Sequence, residues 1–275
     1  MTSFAEVPLG AMISSPAPAA HPAKISSSPF QTLTANPLDP VLRRLHWLSP
    51  LRDADLRSLQ ALERLVERRP PQSVLFGDGD GAGKLVFILS GWACRCRLLP
   101  DGRRQIFSLL LPGDAVGQHP RPRRLWAAET IALTKLCIVE ASSLMEQPCD
   151  AEVAARMLGV LNIGAELEEA MLLDQVVRLG RQTALERLAH LLLELQFRLS
   201  IAGIGDGRHF PLPLTQEALG DVLGLSIVHV NRTLQQLRRE GLIELASGWI
   251  TLLRPDRLAE IAHFKPSVPL KANVA

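Results

Sequence analysis

The chain has 275 residues, enough for one large domain or two ordinary ones, and 47% of them are apolar, so a sizeable core is available. No apolar run reaches the roughly 20 residues that span a bilayer, and the N-terminus lacks a basic region followed by a long apolar run; both predict a cytoplasmic protein without a membrane partner. The net charge of +2 is nearly neutral, and from Arg208 to Lys265 acids are nearly as numerous as bases. Any nucleic-acid binding must therefore use local placement of charge rather than bulk basicity.

Residues 1–38 are rich in Pro, Ala and Ser, as in Ser14-Ser15-Pro16-Ala17-Pro18. Such a segment buries too little to fold alone and reads as a disordered arm. From Val41 to Arg69 the leucine spacing is helical, and Pro70-Pro71 stops it. Residues 73 to about 140 read as short strands: Ser73–Phe76, Leu85–Leu89, Trp92–Leu99, Gln105–Leu111 and Thr130–Glu140. Asp101-Gly102 marks a hairpin and Pro112-Gly113-Asp114 another turn, so a sandwich or jelly-roll barrel is expected.

Two features of this region invite a chemical reading. The cluster Gly77-Asp78-Gly79-Asp80-Gly81-Ala82-Gly83-Lys84 has Asp78 and Leu85 where a phosphate loop needs glycine and Ser/Thr, and Ala82 where a calcium loop needs oxygen, so it reads as a hairpin turn. Cys94 and Cys96 alternate on a strand and face one side, where such a pair binds metal, senses oxidant or simply packs. No second pair completes a zinc site, and with Cys137 and Cys149 the cysteines are too few and too spread for a disulfide scaffold.

A long helix is expected over residues 150–180. Ala154, Leu158, Leu161, Ala165, Leu172 and Leu179 form one stripe, interrupted by Glu168 and Gln175; Val153, Met157, Val160, Leu167 and Met171 form a second. One stripe packs on the strands and the other is free for a dimer partner, unless both lie in the core. Gly180 is expected to break this helix, and Thr183–Leu199 to form the next.

The run Leu212–Leu242 reads as two helices joined by a tight turn. Thr215 caps the first and Gly224 ends it; Ser226 caps the second and Gly241 ends it. On the second helix Val230, Leu234 and Leu237 form the core face, flanked by Ile227 and Thr233, while Val228, Arg232, Gln235 and Arg239 line the opposite side. An amphipathic core helix with a solvated charged face has the same periodicity; the paired caps and the glycine turn favour a helix-turn-helix. Arginine matches the O6 and N7 of guanine, and an exposed valine matches the methyl of thymine. Leu242–Leu245 and Trp249–Leu252 flank Ser247-Gly248 as a short hairpin, which makes the unit winged.

The order of these parts, with Leu214-Thr215-Gln216, Gly224-Leu225-Ser226, Val228-His229-Val230-Asn231-Arg232-Thr233-Leu234 and Leu237-Arg238-Arg239-Glu240-Gly241-Leu242-Ile243, resembles the Crp/Fnr superfamily of bacterial transcription regulators, in an alphaproteobacterial branch. Ser90-Gly91-Trp92, Asp101-Gly102-Arg103-Arg104-Gln105-Ile106, Leu111-Pro112-Gly113-Asp114, Gly180-Arg181 and Glu186–Leu192 match the same branch. The resemblance covers roughly 41–265. It implies an α+β chain: a sensory, cyclic-nucleotide-binding-like β-roll over 41–148, a dimerisation helix over 150–180, a winged helix-turn-helix over 181–265 and a tail over 266–275. It also implies a homodimer on near-palindromic double-stranded DNA that recruits or blocks RNA polymerase. The implied DNA-binding set is Thr215, Gln216, Ser226, Ile227, Val228, His229, Asn231, Arg232, Gln235 and Arg239, with Arg232 reading guanine and Ser226 on phosphate.

Departures from the family matter as much. Val228 stands where the well-studied members carry glutamate, so their operators do not transfer. The cyclic-AMP members use Gly-Glu and Arg-x-Ala segments; here Gly117-Gln118 and the proline-flanked Arg121, Arg123 and Arg124 occupy a shorter region, which argues against cyclic AMP and leaves Gln118, Arg123 and Arg124 as weak ligand candidates. The arm before Val41 has no cysteine, which argues against an iron–sulfur centre. His46 and His119 are lone histidines, poor candidates for haem ligands. No nucleophile–base pair, metal set or phosphate loop marks an enzyme. The alternative is a small-molecule or redox sensor that acts mainly through protein contacts and binds DNA weakly.

Overall fold

The computed structural model describes residues 36–77, 84–117, 128–145 and 150–269. Most of the N-terminal arm, the interior of the glycine cluster, Gln118, His119, Arg121, Arg123, Arg124, Cys149 and the end of the tail lie outside the described residues.

Helix α1 (Asp39–Leu48) opens the fold, with Pro40 in its first turn. It ends because Ser49 precedes Pro50 and is extended, at φ −158° and ψ 143°. Helix α2 (Asp53–Gln60) and a 3₁₀ turn (Ala61–Leu65) follow. The helical stretch expected over 41–69 is thus interrupted at Pro50. Its last four residues are strand β1 (Val66–Arg69), paired with β8 (Leu136–Glu140). Arg69 precedes a proline and is held extended, and β1 is a largely exposed edge strand, so no apolar alternation announces it.

Among the described residues, eight strands form two antiparallel four-stranded sheets. One has the order β1-β8-β3-β6, with β3 (Val86–Ser90) and β6 (Ala115–Val116); the other has β2-β7-β4-β5, with β2 (Val74–Phe76), β7 (Glu129–Ala132), β4 (Ala93–Leu98) and β5 (Arg104–Leu110). The single strand expected over 130–140 is two. Leu133 and Thr134 turn between them, both donating their amides to the Trp92 carbonyl, while Trp92 donates back to Thr134 Oγ1.

The inner strands of both sheets are covered on both faces, which explains the unbroken apolar run of β3. Between them lie Val86, Ile88, Ala93, Leu110, Val116 and Ile138. Outside the first sheet, Phe87, Leu89 and Val139 meet α1 and the long helix α3 (Ala151–Arg181). Outside the second, Cys94, Cys96, Ile106 and Leu109 meet helix α4 (Ala184–Ile201) and the C-terminal unit in one continuous core.

Asp150 caps α3, accepting from the Glu152 amide at 2.9 Å. The helix rises about 46 Å at 1.5 Å per residue. Gly180 does not break it; the helix continues to Arg181, and Gln182 is the extended residue that ends it. A lone glycine costs only about 1 kcal/mol in a helix, too little to end one of this length. The stop comes instead from the next helix, where Thr183 and Glu186 form a reciprocal capping box (2.7 and 3.4 Å). Of the two predicted stripes on α3, the second is the one that packs: Val153, Met157, Val160 and Leu167 are buried and Met171 is partly buried. The first splits, with Leu161 buried, Leu158 half exposed and Ala165 exposed.

The C-terminal unit contains β9 (His209–Pro211), α5 (Gln216–Leu223), α6 (Ile227–Arg239), β10 (Ile243–Ala246), β11 (Trp249–Leu252) and α7 (Pro255–Ala262). Its sheet has the order β10-β11-β9. Strand β9, too short to show a period, adds a third strand to the expected hairpin.

Candidate nucleic-acid interface

Helices α5 and α6 meet at a turn set by two glycines. Gly224 has φ +63°, the left-handed conformation that ends α5, and its amide donates to the Gly220 carbonyl. Gly220 lies inside α5, where a Cβ would stand 2.6 Å from the Leu225 carbonyl oxygen. Sequence reasoning passed over Gly220, although a glycine in mid-helix is itself a sign of close approach. Thr215 accepts from the Ala218 amide at 3.1 Å and Ser226 from the His229 amide at 3.3 Å, so both predicted caps form.

Val230, Leu234 and Leu237 on α6 are buried against Leu219, Val222 and Leu223 of α5. Thr233 is buried too and donates its hydroxyl to the His229 carbonyl at 2.8 Å. Ile227 departs from its expected place beside the core face: it is 51% exposed. Val228 is 66% exposed. All ten residues of the expected DNA-binding set are solvent-exposed, and α6 presents Val228, Arg232, Gln235 and Arg239 along one open face. Ser226 Oγ also lies 2.9 Å from His229 Nδ1, which fixes the imidazole at the entry to the helix.

The wing follows at once. Strands β10 and β11 pair through Ser247 and Gly248, both at positive φ as a two-residue hairpin turn requires. His209 on β9 stacks on Trp249, centroids 4.7 Å apart, and bonds Thr251 through Nδ1 at 2.9 Å.

The reading unit is bound to the barrel by charge as well as by apolar contact. Arg198 of α4, buried, pairs with Asp114 at 2.6 Å and with Glu194 at 3.2 Å, and donates to the Leu109 carbonyl. Arg178 pairs with Glu194 at 2.8 Å. Although burial favours the neutral acid, these two guanidiniums hold the Glu194 carboxyl below its ordinary range. Burial, and then repulsion from Arg178, lower His190 to about 4, so its ring is neutral at pH 7. Glu168, the predicted interruption of an apolar stripe, is paired with Arg95. Gln175, the other, is buried and donates to the Val222 carbonyl at 2.7 Å. Polar residues within an apolar stripe thus mark contacts to neighbouring elements.

The residues weighed for other chemistry fall elsewhere. Cys94 and Cys96 lie buried in one apolar cluster and hydrogen-bond each other, and that bond together with burial pushes the Cys94 thiol up. Such a thiol packs rather than reacts. Among the described residues no group of three or more His, Cys, Asp or Glu is placed to hold a metal. His46 is exposed and accepts from the Leu51 amide. No helix among the described residues is long and apolar enough to cross a membrane.

Known proteins carry the same two parts. Residues 186–261 match the Crp-like helix-turn-helix domain, and residues 66–147 match the cyclic nucleotide-binding domain. The nitrogen fixation regulation protein FixK of Bradyrhizobium diazoefficiens is 34% identical over 214 residues, covering 78% of this chain and 88% of that protein. The transcriptional activatory protein AadR of Rhodopseudomonas palustris is 32% identical over 206 residues, 74% of this chain and 84% of its own length. The solved structure of FixK2 from Bradyrhizobium japonicum superposes with a TM-score of 0.60 at 27% identity, covering 71% of this chain and 96% of that one. A helix-turn-helix unit of this type, behind a barrel of this type and with relatives matched over most of their length, places the chain in the Crp/Fnr family of DNA-binding transcription regulators.

Proposed function

We propose that the protein works as a homodimer on a near-palindromic operator, with two α6 helices in successive major grooves about 34 Å apart. The observation that carries this reading is the open face of α6, whose exposed residues are of the kinds that read base edges. Arg232 reads a guanine through paired hydrogen bonds, and Val228 packs on a thymine methyl one helical turn away. Ser226 sits at the N-terminus of α6, where phosphate is favoured. Thr215 and Gln216 open α5 beside the same strand. Gln235 and Arg239 extend toward the backbone, and His229 and Asn231 flank the stripe.

Dimerisation is supported by α3, which leaves Leu158 50%, Leu173 63%, Val176 67% and Val177 53% exposed along a long helix. These are not the residues of one predicted stripe: Leu173, Val176 and Val177 belong to neither, and of the first only Leu158 and Ala165 share their exposure. In this reading the bound dimer contacts RNA polymerase in the cytoplasm, and the chain has no catalytic role.

Selection of DNA from a random pool by the purified protein, at physiological salt and without added ligand, tests this. Enrichment of a two-fold site with half-sites one helical turn apart is expected. Enrichment of single unpaired half-sites would remove the dimeric reading, and no enrichment would show that binding needs an effector or that α6 does not read bases. Repeating the selection with candidate effectors separates these last two.

A further inference from the structure

The C-terminal end of α5 is held from three directions. The last carbonyls of a helix have no partner within it and must find donors elsewhere. Gln105 Nε2, from β5, donates to the Asp221 carbonyl at 2.7 Å and reaches the Val222 carbonyl at 3.4 Å. Gln175, from α3, donates to the Val222 carbonyl, and Arg187 Nη1, from α4, to the Leu223 carbonyl at 2.9 Å. The Asp221 carboxylate receives Arg104 Nε and Nη2, both at 2.8 Å. Arg187 also binds the Leu179 and Gln182 carbonyls, which ties it to the α3–α4 junction.

Gln175 and Arg187 stand on the helices that lead into the reading unit. Arg104 and Gln105 do not: they are the first two residues of β5, directly after the Asp101-Gly102 turn, and pair with Leu98 and Arg97 of β4. They bridge 117 and 116 residues of chain to grip the helix on which α6 rests. The grip is at the back of α5 and leaves the α6 face open.

We infer that Arg104 and Gln105 are positioning residues for DNA reading: by holding the end of α5 they fix the angle between α6 and the barrel, and so set the half-site spacing that the protein accepts. A half-site is read by one α6, whereas a spacing is read by the separation of two. Loosening each reader on its barrel leaves the first unchanged and blurs the second. This inference rests on the two-fold reading above.

The test uses the full-length protein and a series of duplexes carrying the selected half-sites with the spacer lengthened or shortened by single base pairs, together with a duplex bearing one half-site. Arg104→Ala and Gln105→Ala are each expected to weaken the best-spaced site about five- to tenfold, flatten the spacing profile and leave single half-site affinity unchanged. The reversed pair, Arg104→Asp with Asp221→Arg, is expected to restore the profile, and thermal melting checks that each variant is folded. Uniform weakening at every spacing, or an unchanged profile in folded variants, would overturn the inference while leaving the two-fold reading intact. A wild-type protein with no preferred spacing would overturn both. Should Arg104→Ala not fold, the comparison passes to Gln105→Ala and the reversed pair, judged by the same profile.

Discussion

Arg232 and Val228 lie one helical turn apart on the same open face of α6, and in the proposed reading they discriminate by different physics. Arginine on guanine is a directional pair of hydrogen bonds; valine on thymine is shape and exclusion of water. Arg232→Ala is expected to cost about 1–3 kcal/mol on the selected site and much less on random DNA, measured by titration of both. Equal losses on both would mean that Arg232 touches only the backbone. Val228→Glu is expected to move the preferred base opposite position 228 away from thymine, toward cytosine, whose exocyclic amine offers a donor. These side chains were legible from the sequence because an amphipathic helix with caps at both ends shows which face is turned outward. Ile227 was less legible: helical phase puts it beside the core face, yet in the first turn of α6 it is half exposed, and periodicity does not show where a neighbouring element stops covering a face.

Among the elements, the capped helices and the hairpin turn at Asp101-Gly102 were read correctly because each carries a local signal: a cap, a left-handed residue or a strict period. The misread elements lack one. Strand β1 is an edge strand of alternating-free sequence Val-Glu-Arg-Arg, and the β7–β8 turn is made by side-chain and carbonyl bonds to Trp92 rather than by glycine or proline. Helix α3 shows a different limit. Its periodicity told that two faces are apolar, but which of them is covered depends on α4 and the barrel, which the periodicity of α3 does not contain. Leu173 and Val176 are the clearest uncovered pair, so Leu173→Asp with Val176→Asp is expected to yield a folded monomer by sedimentation, with affinity for the paired site greatly reduced. A double variant that remains dimeric would place the interface elsewhere.

At the scale of the whole molecule, a charged seam runs between barrel and reading unit. His190 is 7% exposed, packs edge-on against Phe264 with centroids 5.0 Å apart, and is neutral in the fold. Its proton affinity in the folded state, near pH 4, lies below the unfolded value of 6.5. The unfolded chain therefore binds the extra proton between those limits. The resulting stability is complete above about pH 6.5 and is lost as pH falls toward 4, by about 1 kcal/mol at pH 5.5. Chemical denaturation at pH 7.5 and 5.5 should show that loss, and His190→Gln should shrink the difference between the two pH values. An equal difference in the variant would assign the acid sensitivity to the carboxylates of the seam. Of this seam only the Glu194–Arg198 pair, four residues apart on one helix, has a spacing that the sequence shows; Asp114 and Arg178 are brought to it by the fold.

The open face of α6 has a consequence for how this protein can change over generations. Apart from the two caps, Thr215 and Ser226, and His229, whose ring bonds Ser226, the exposed side chains of the proposed reading set make no side-chain hydrogen bond or ion pair among the described residues. A lineage can therefore exchange Val228, Asn231 or Gln235 and acquire a new set of target promoters without first repairing its own stability. If the grip behind α5 sets the spacing as inferred, it is under the opposite pressure, because one geometry then serves every operator that the protein reads. In such a regulator promoter choice is free to drift, while the distance between the two halves of its sites is inherited.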